Sequence, residues 1–245
     1  VLLAAALIGA LAAAVYTLLM QRWHRAPGRV VDSQTYTAPG EAAEQPTTDI
    51  AAPRAPGAKP PVGGGDDEAV ARRLCEGGVA PDDQAQLFGH LRQAAASRAA
   101  LSPVPAGFNV SNCTALRADA VAAIRRMLAA AADEPGVGRN LVGVSCFRDN
   151  AKQRQLYCNA AKLSSRGYRG QAYWVAPPGF SEHATGVALD FGDRAHPECN
   201  VDPCFAGTPV GRWLAANAGR FGFRMSFPPG NAQGVANEAW HFRYV

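Results

Sequence analysis

The chain has 245 residues with 24 Lys and Arg against 20 Asp and Glu, a formal charge of +4, and only 18% of its residues are charged. That balance is too weak for a polybasic nucleic-acid binder or an acidic disordered tail, so no nucleic-acid partner is expected. Gly and Pro make up about a sixth of the chain, above the roughly 12% of an average protein, and much of the excess falls in the first quarter.

Residues 1–20, VLLAAALIGALAAAVYTLLM, contain no charge and no proline. At about 1.5 Å per helical residue they cover the roughly 30 Å hydrocarbon core of a bilayer and read as a membrane anchor. A cleaved signal peptide is the competing reading, since Ala12 to Ala14 offer small residues to a peptidase. The apolar run, however, exceeds a signal core of about 7 to 15 residues. Arg22, Arg25 and Arg29 follow the span, and the positive-inside rule alone would put that side in the cytoplasm. Residues 21–66 are rich in Pro, Ala, Gly, Thr and Glu, without helical or strand periodicity, and are expected to form a disordered tether.

The cysteines bear on the compartment. Cys75, Cys113, Cys146, Cys158, Cys199 and Cys204 form no C-x-x-C pair, which disfavours a zinc ribbon or thioredoxin motif. Their even number suits disulfides in an oxidising compartment. Cys199 and Cys204 would close a small loop; the other pairings stay open, with buried free thiols as the alternative. The expected location is therefore the cell envelope, membrane-anchored, with the folded part in the periplasm or otherwise outside the cytoplasm.

The remaining residues fit one globular domain, read as a helical flanking part over 67–136 and a second part over 137–245. Val70, Leu74, Leu87 and Leu91 stand at helix-like spacings and predict helices over Asp67–Glu76 and Asp82–Ala99, followed by Leu116–Ala132. Beyond Gly138 the pattern changes. Leu141–Phe147 reads as a strand, Asn150–Leu163 as a helix, Val187–Phe191 and Phe242–Val245 as short strands, and Pro209–Ala218 as a helix with Pro at its start. The expected class is α+β, with a small antiparallel sheet and flanking helices.

Two segments carry chemistry: Ser181-Glu-His-Ala-Thr-Gly-Val-Ala-Leu-Asp190 and Glu238-Ala-Trp-His241. His183, Asp190 and His241 offer two imidazoles and a carboxylate, a donor set that suits zinc with a fourth position open to water. Val187, Leu189 and Phe191 alternate with Ala188 and Asp190, which puts Asp190 on the face opposite the packed residues. A metal would offset the cost of burying that carboxylate. Glu238 is the expected base, in a loop entering a strand, and Trp240 an apolar wall or plain core. His24, His90 and His196 are read as non-ligands and Asp193 as a turn residue.

Together, S-x-H-x-x-G-x-A-x-D and the late E-x-W-H resemble the VanY-type D-alanyl-D-alanine carboxypeptidases, in the metallopeptidase group that includes lysostaphin-like enzymes and the hedgehog signalling domain. The resemblance covers about Asn140 to Val245. It implies that His183, Asp190 and His241 bind Zn²⁺ and that Glu238 is the general base. Ser145-Cys-Phe-Arg148 followed by Gln153 is similar to the family's S-G-Y-R-S-x-x-x-Q segment, which implies that Arg148 faces the substrate and that Gln153 and Ser181 shape its pocket. Cys146 stands where the family has glycine, which would put a disulfide beside the site if it is paired. Pro177-Pro178-Gly179-Phe180 lacks an arginine often found before the Pro-Gly. The function so implied is hydrolysis of the terminal D-Ala-D-Ala bond of peptidoglycan stem peptides. A D,D-endopeptidase acting on crosslinks, or a zinc-containing wall-binding module without turnover, are the alternatives. A serine peptidase is disfavoured, because neither S-x-x-K nor K-T-G occurs.

Overall fold

The computed structural model describes residues 65–245. The expected anchor over residues 1–20 and nearly all of the expected tether lie outside the described residues. Among those described, no helix is long and apolar enough to cross a membrane.

The chain opens with α1 (Gly65–Cys75), whose acidic first turn (Asp66, Asp67, Glu68) and basic last turn (Arg72, Arg73) complement the helix dipole. The helix expected over Asp82–Ala99 does not form. Its place is taken by a hairpin of β1 (Gln86–Leu87) and β2 (His90–Leu91), then a single 3-10 turn over Arg98–Ala100. Phe88 and Gly89 form the two-residue turn, with φ of 50° and 97°. Two successive left-handed residues close a hairpin with the right twist. A Cβ on Gly89 would lie 2.1 Å from the Gln233 carbonyl oxygen, so the turn also needs the missing side chain. Leu87 is buried and Leu91 half exposed, so the leucines that imitate a helical stripe point to different environments.

The part expected to be helical over 67–136 is thus helical only towards its ends. Between them lie β3 (Leu101–Pro103), β4 (Asn109–Asn112) and β5 (Ala115–Arg117); β3 and β5 pair antiparallel. Then α2 (Ala118–Ala131) buries Ala120, Val121, Ala123, Ile124, Met127 and Ala131 along one face. After β6 (Leu141–Ser145) the expected single helix is two. α3 (Asn150–Tyr157) is capped by Asp149, and α4 (Ala160–Ala172) by Asn159, whose side chain accepts the Lys162 N–H at 3.1 Å. The remaining elements are β7 (Ala188–Asp193), α5 (Pro209–Asn217), β8 (Phe223–Met225) and β9 (His241–Tyr244).

The central sheet has the order β4-β6-β7-β9-β8. It is antiparallel from β6 to β8, but β4 runs parallel to β6, so the expected antiparallel sheet is mixed at one edge. β7 is buried along its whole length, as a strand covered on both faces must be. On one side Leu189 and Phe191 join Phe242, Leu141, Ile124, Met127, Phe205 and Leu214 in the main core. A second cluster gathers Leu74, Leu87, Tyr157, Ala172 and Phe180. The α+β class is as expected.

Three disulfides close the described cysteines: Cys75–Cys158, Cys113–Cys146 and Cys199–Cys204. The first joins α1 to the end of α3, across a separation of 83 residues. The second fastens the chain beyond β4 to the end of β6. Gly143, in the middle of β6, faces that bridge: a Cβ there would lie 2.4 Å from Cys113 Sγ and 2.5 Å from the Phe108 ring. Gly143→Ala should therefore destabilise the domain by about 1–3 kcal/mol through overpacking. Urea denaturation at fixed pH reads that loss as a lower midpoint with an unchanged slope.

Candidate metal centre

Strand register makes the site. Asp190 of β7 lies opposite His241 of β9. Residues directly opposite one another share a face, so both side chains leave the sheet on the side away from Leu189 and Phe191. His183 arrives from the short turn Glu182–Thr185 that precedes β7. This turn ends at Gly186 with φ 71°, where a Cβ would press on Leu101 at 2.9 Å. His183, Asp190 and His241 are 3%, 5% and 2% exposed, and one potential ligand atom from each lies within 4.8 Å of the others.

The two imidazoles are oriented from behind. His183 Nδ1 is 2.7 Å from the Cys146 carbonyl oxygen, to which it donates, leaving Nε2 towards Asp190 Oδ2 at 3.4 Å. His241 faces Asp190 Oδ1 with Nδ1 at 3.0 Å and Glu182 Oε2 with Nε2 at 3.0 Å. Each ring thus has one nitrogen engaged outside the cluster and the other aimed inward, as metal-ligating histidines require. Two nitrogens and a carboxylate at this spacing suit a metal such as zinc and leave room for a further ligand.

Electrostatics agree with that use. Burial, assisted by the Arg148 charge, lowers His183 to about 4, so it is neutral at pH 7 and a ready donor. Burial works against the charge on Asp190, yet the two imidazoles outweigh it and hold the carboxyl far below its ordinary range. His241 would be lowered by burial, but its hydrogen bonds with Asp190 and Glu182 raise it to about 10. A metal arriving at the site must therefore displace a proton from His241.

Glu238 stands at the edge of this cluster, its Oε2 3.8 Å from His241 Nδ1. Its N–H donates to the Phe227 carbonyl and its own carbonyl accepts from His241 N–H, each at 3.0 Å, which places it in the turn leading into β9. Burial raises its pKa to about 7, reinforced by Asp190 and opposed by His241 and Arg148. Arg148 follows β6, and its backbone N–H donates to the His183 carbonyl at 3.3 Å. Its Nε is buried with no partner, while Asp190 and Glu238 act on its charge. An unpartnered buried donor beside the cluster is suited to an incoming anion.

Gln153 and Ser181 lie further back. Gln153 is 1% exposed on the inner side of α3; its amide donates to the Ala176 carbonyl at 2.7 Å, and its Oε1 has no partner. It fastens the segment leading into Pro177-Pro178. Ser181, 2% exposed, begins the turn that presents His183. Trp240 belongs to the main core.

Of the other histidines, His90 and His196 stand apart from the cluster. His90 bonds the Ala172 carbonyl at 2.7 Å and His196 pairs with Glu198 at 3.4 Å; His24 lies outside the described residues. Asp193 is fully buried away from the cluster and accepts from Ala195 and Val210 N–H. Glu182 was not anticipated. It sits next to His183 in sequence but bonds His241, 59 residues away, a contact that no local spacing reveals.

The family model for VanY, D-alanyl-D-alanine carboxypeptidase, matches residues 114–245, more than half of the chain. The chain belongs to this family. The match begins upstream of the Asn140 boundary suggested by the motifs and takes in β5 and α2, which pack in the same core. Among relatives, the YodJ protein of Bacillus subtilis is 34% identical over 133 residues, covering 53% of this chain and 46% of that protein. A D-alanyl-D-alanine carboxypeptidase of Enterococcus faecalis is 38% identical over 111 residues, covering 41% of this chain and 38% of that protein. The chain thus spans less than half the length of these relatives. Among solved structures, the LdcB LD-carboxypeptidase superposes with a TM-score of 0.52 at 28% identity, covering 61% of this chain and 70% of that one.

The raised Glu238 sets a pH dependence for the metal-free protein. Its carboxyl binds a proton up to about pH 7 when folded, against an ordinary value of 4.5, so the folded state loses stability as pH rises through this window. Glu238→Gln removes that loss. In chelator, the variant should melt a few degrees above the parent at pH 8, with the gap closing near pH 4, as read by thermal unfolding across that range.

Proposed function

We propose that this chain is a zinc-dependent D,D-carboxypeptidase that removes the terminal D-Ala from peptidoglycan stem peptides ending in D-Ala-D-Ala. The observation that carries the reading is the buried convergence of His183, Asp190 and His241 with Glu238 at its rim and an unpaired Arg148 donor beside it. Membership of the VanY family supports it.

His183, Asp190 and His241 would hold the zinc ion. When bound, such an ion polarises the scissile carbonyl and lowers the pKa of a water towards about 7. Glu238 takes the proton of the attacking water as its oxygen adds to the carbonyl carbon. It then returns a proton to the departing amine as the C–N bond breaks, so one peptide bond and one water become a carboxylate and a protonated amine. Arg148 offers a planar fork for the substrate's terminal carboxylate or the oxyanion of the tetrahedral intermediate. Gln153, by holding the 176–181 segment, and Ser181, by starting the turn that bears His183, shape the wall of the pocket. A wall-binding module would have no use for a base beside the metal, and Glu238 argues for turnover.

The three disulfides support a location outside the cytoplasm, where such bridges persist and where peptidoglycan is found. The apolar residues 1–20 support attachment to the membrane through an N-terminal helix.

Incubating the zinc-loaded full chain with a stem pentapeptide and following the products by mass spectrometry tests the assignment. Loss of one D-Ala from the pentapeptide, with a tetrapeptide left intact, is expected. Trimming of the tetrapeptide instead would make the enzyme an L,D-carboxypeptidase, the activity named for LdcB. Glu238→Gln should retain the metal and lose turnover by at least about 100-fold. Arg148→Ala should lower kcat/KM on the free pentapeptide by about 100-fold or more, while cleavage of a crosslinked dimer at an undiminished rate would favour the endopeptidase reading.

A further inference from the structure

Among the described residues, Glu182 is a largely covered acid beside the cluster that neither the ligand set nor the reaction uses. Its side chain is 10% exposed, and every polar neighbour restrains it. Oε2 faces His241 Nε2 at 3.0 Å and also accepts the Ser226 hydroxyl at 2.6 Å. Oε1 lies 3.5 Å from the Arg243 guanidinium, which is itself held by Gln93 at 3.1 Å. These partners come from separate stretches: Ser226 follows β8, Arg243 lies within β9, and Gln93 follows β2.

A neutral imidazole carries a single N–H. If Nε2 donates it to a fixed carboxylate, the Nδ1 lone pair is free, and Nδ1 is the atom that faces Asp190 and Glu238. We infer that Glu182 is the positioning residue that sets the tautomer and ring plane of His241 for metal binding, with Ser226 fixing the orienting carboxylate. One short turn then supplies both a ligand, His183, and the group that orients the distant second ligand. On the other ring the same role falls to the Cys146 carbonyl, a backbone atom that side-chain substitution leaves in place. The inference rests on the metal-site reading above.

Metal affinity of the full chain, measured by zinc competition against a chromophoric chelator, tests it independently of turnover. Glu182→Ala should weaken zinc binding about 10- to 100-fold, and Glu182→Gln, which keeps an oxygen acceptor for Nε2–H, should recover most of that loss. Ser226→Ala should weaken binding by a smaller factor in the parent and add nothing in the Glu182→Ala background, since its effect runs through the same carboxylate. Cobalt-substituted Glu182→Ala should show a shifted visible spectrum. Thermal unfolding in chelator establishes that each variant is folded before titration. Unchanged zinc affinity and an unchanged cobalt spectrum in folded Glu182→Ala would overturn the inference. So would a Ser226 effect that persists without Glu182. Failure of the parent chain itself to bind zinc would instead overturn the metal-site reading.

Discussion

A carboxylate buried between two imidazoles is the constraint around which this domain is arranged. Asp190 sits on a strand with no exposed residue, where an unpaired charge would be prohibitively costly. What makes it tolerable is the register of β7 against β9, which sets His241 opposite it, together with the turn that brings His183 to its other oxygen. A slip of one residue would turn Asp190 into the core of Leu189 and Phe191 and His241 away from the cluster. The core face and the chemical face of β7 therefore specify one another.

The surrounding structure reads as support for that register. β6 and the Cys113–Cys146 bridge hold the Cys146 carbonyl behind His183, and Gly143 lets the bridge lie against the strand. β8 pairs with the far side of β9 and delivers Ser226 to Glu182. The hairpin at Phe88-Gly89 abuts the loop before Glu238 through the Gln233 carbonyl, and α4 joins the same loop where the Tyr173 carbonyl accepts Ala236 N–H at 2.9 Å. Regions remote in sequence thus converge on the segment that carries Glu238. The bridge from Cys75 to Cys158 ties α1 into this assembly.

How much of this was legible in the sequence follows from how strictly each feature is dictated. The convergence of His183, Asp190 and His241 was legible because a metal accepts few side-chain types, and because the alternation across Val187 to Phe191 places Asp190 apart from the apolar residues. α2 and α5 were readable from their long apolar face and from Pro209 at the start. The stretch from Asp82 to Ala99 was misread because Leu87 and Leu91 happen to stand four apart, whereas the decisive signal was Gly89, whose left-handed φ makes the hairpin. The division between α3 and α4 lay in Asn159, a capping residue inside an otherwise helical pattern. β4 was invisible because Asn-Val-Ser-Asn is exposed along its whole length and has no apolar alternation to betray a strand. Glu182 was invisible for a different reason: its meaning lies in a contact made only after β9 is in register.

The identity of the atoms around a bound metal is decisive for a centre built from His183, Asp190 and His241. X-ray absorption at the zinc edge of the loaded full chain measures this directly, without substrate and without mutation. Two imidazole nitrogens and at least one oxygen at about 2.0–2.1 Å, with no sulfur, is the predicted shell. A sulfur shell near about 2.3 Å, or scattering from a single imidazole, would contradict the pairing of His183 and His241 around Asp190.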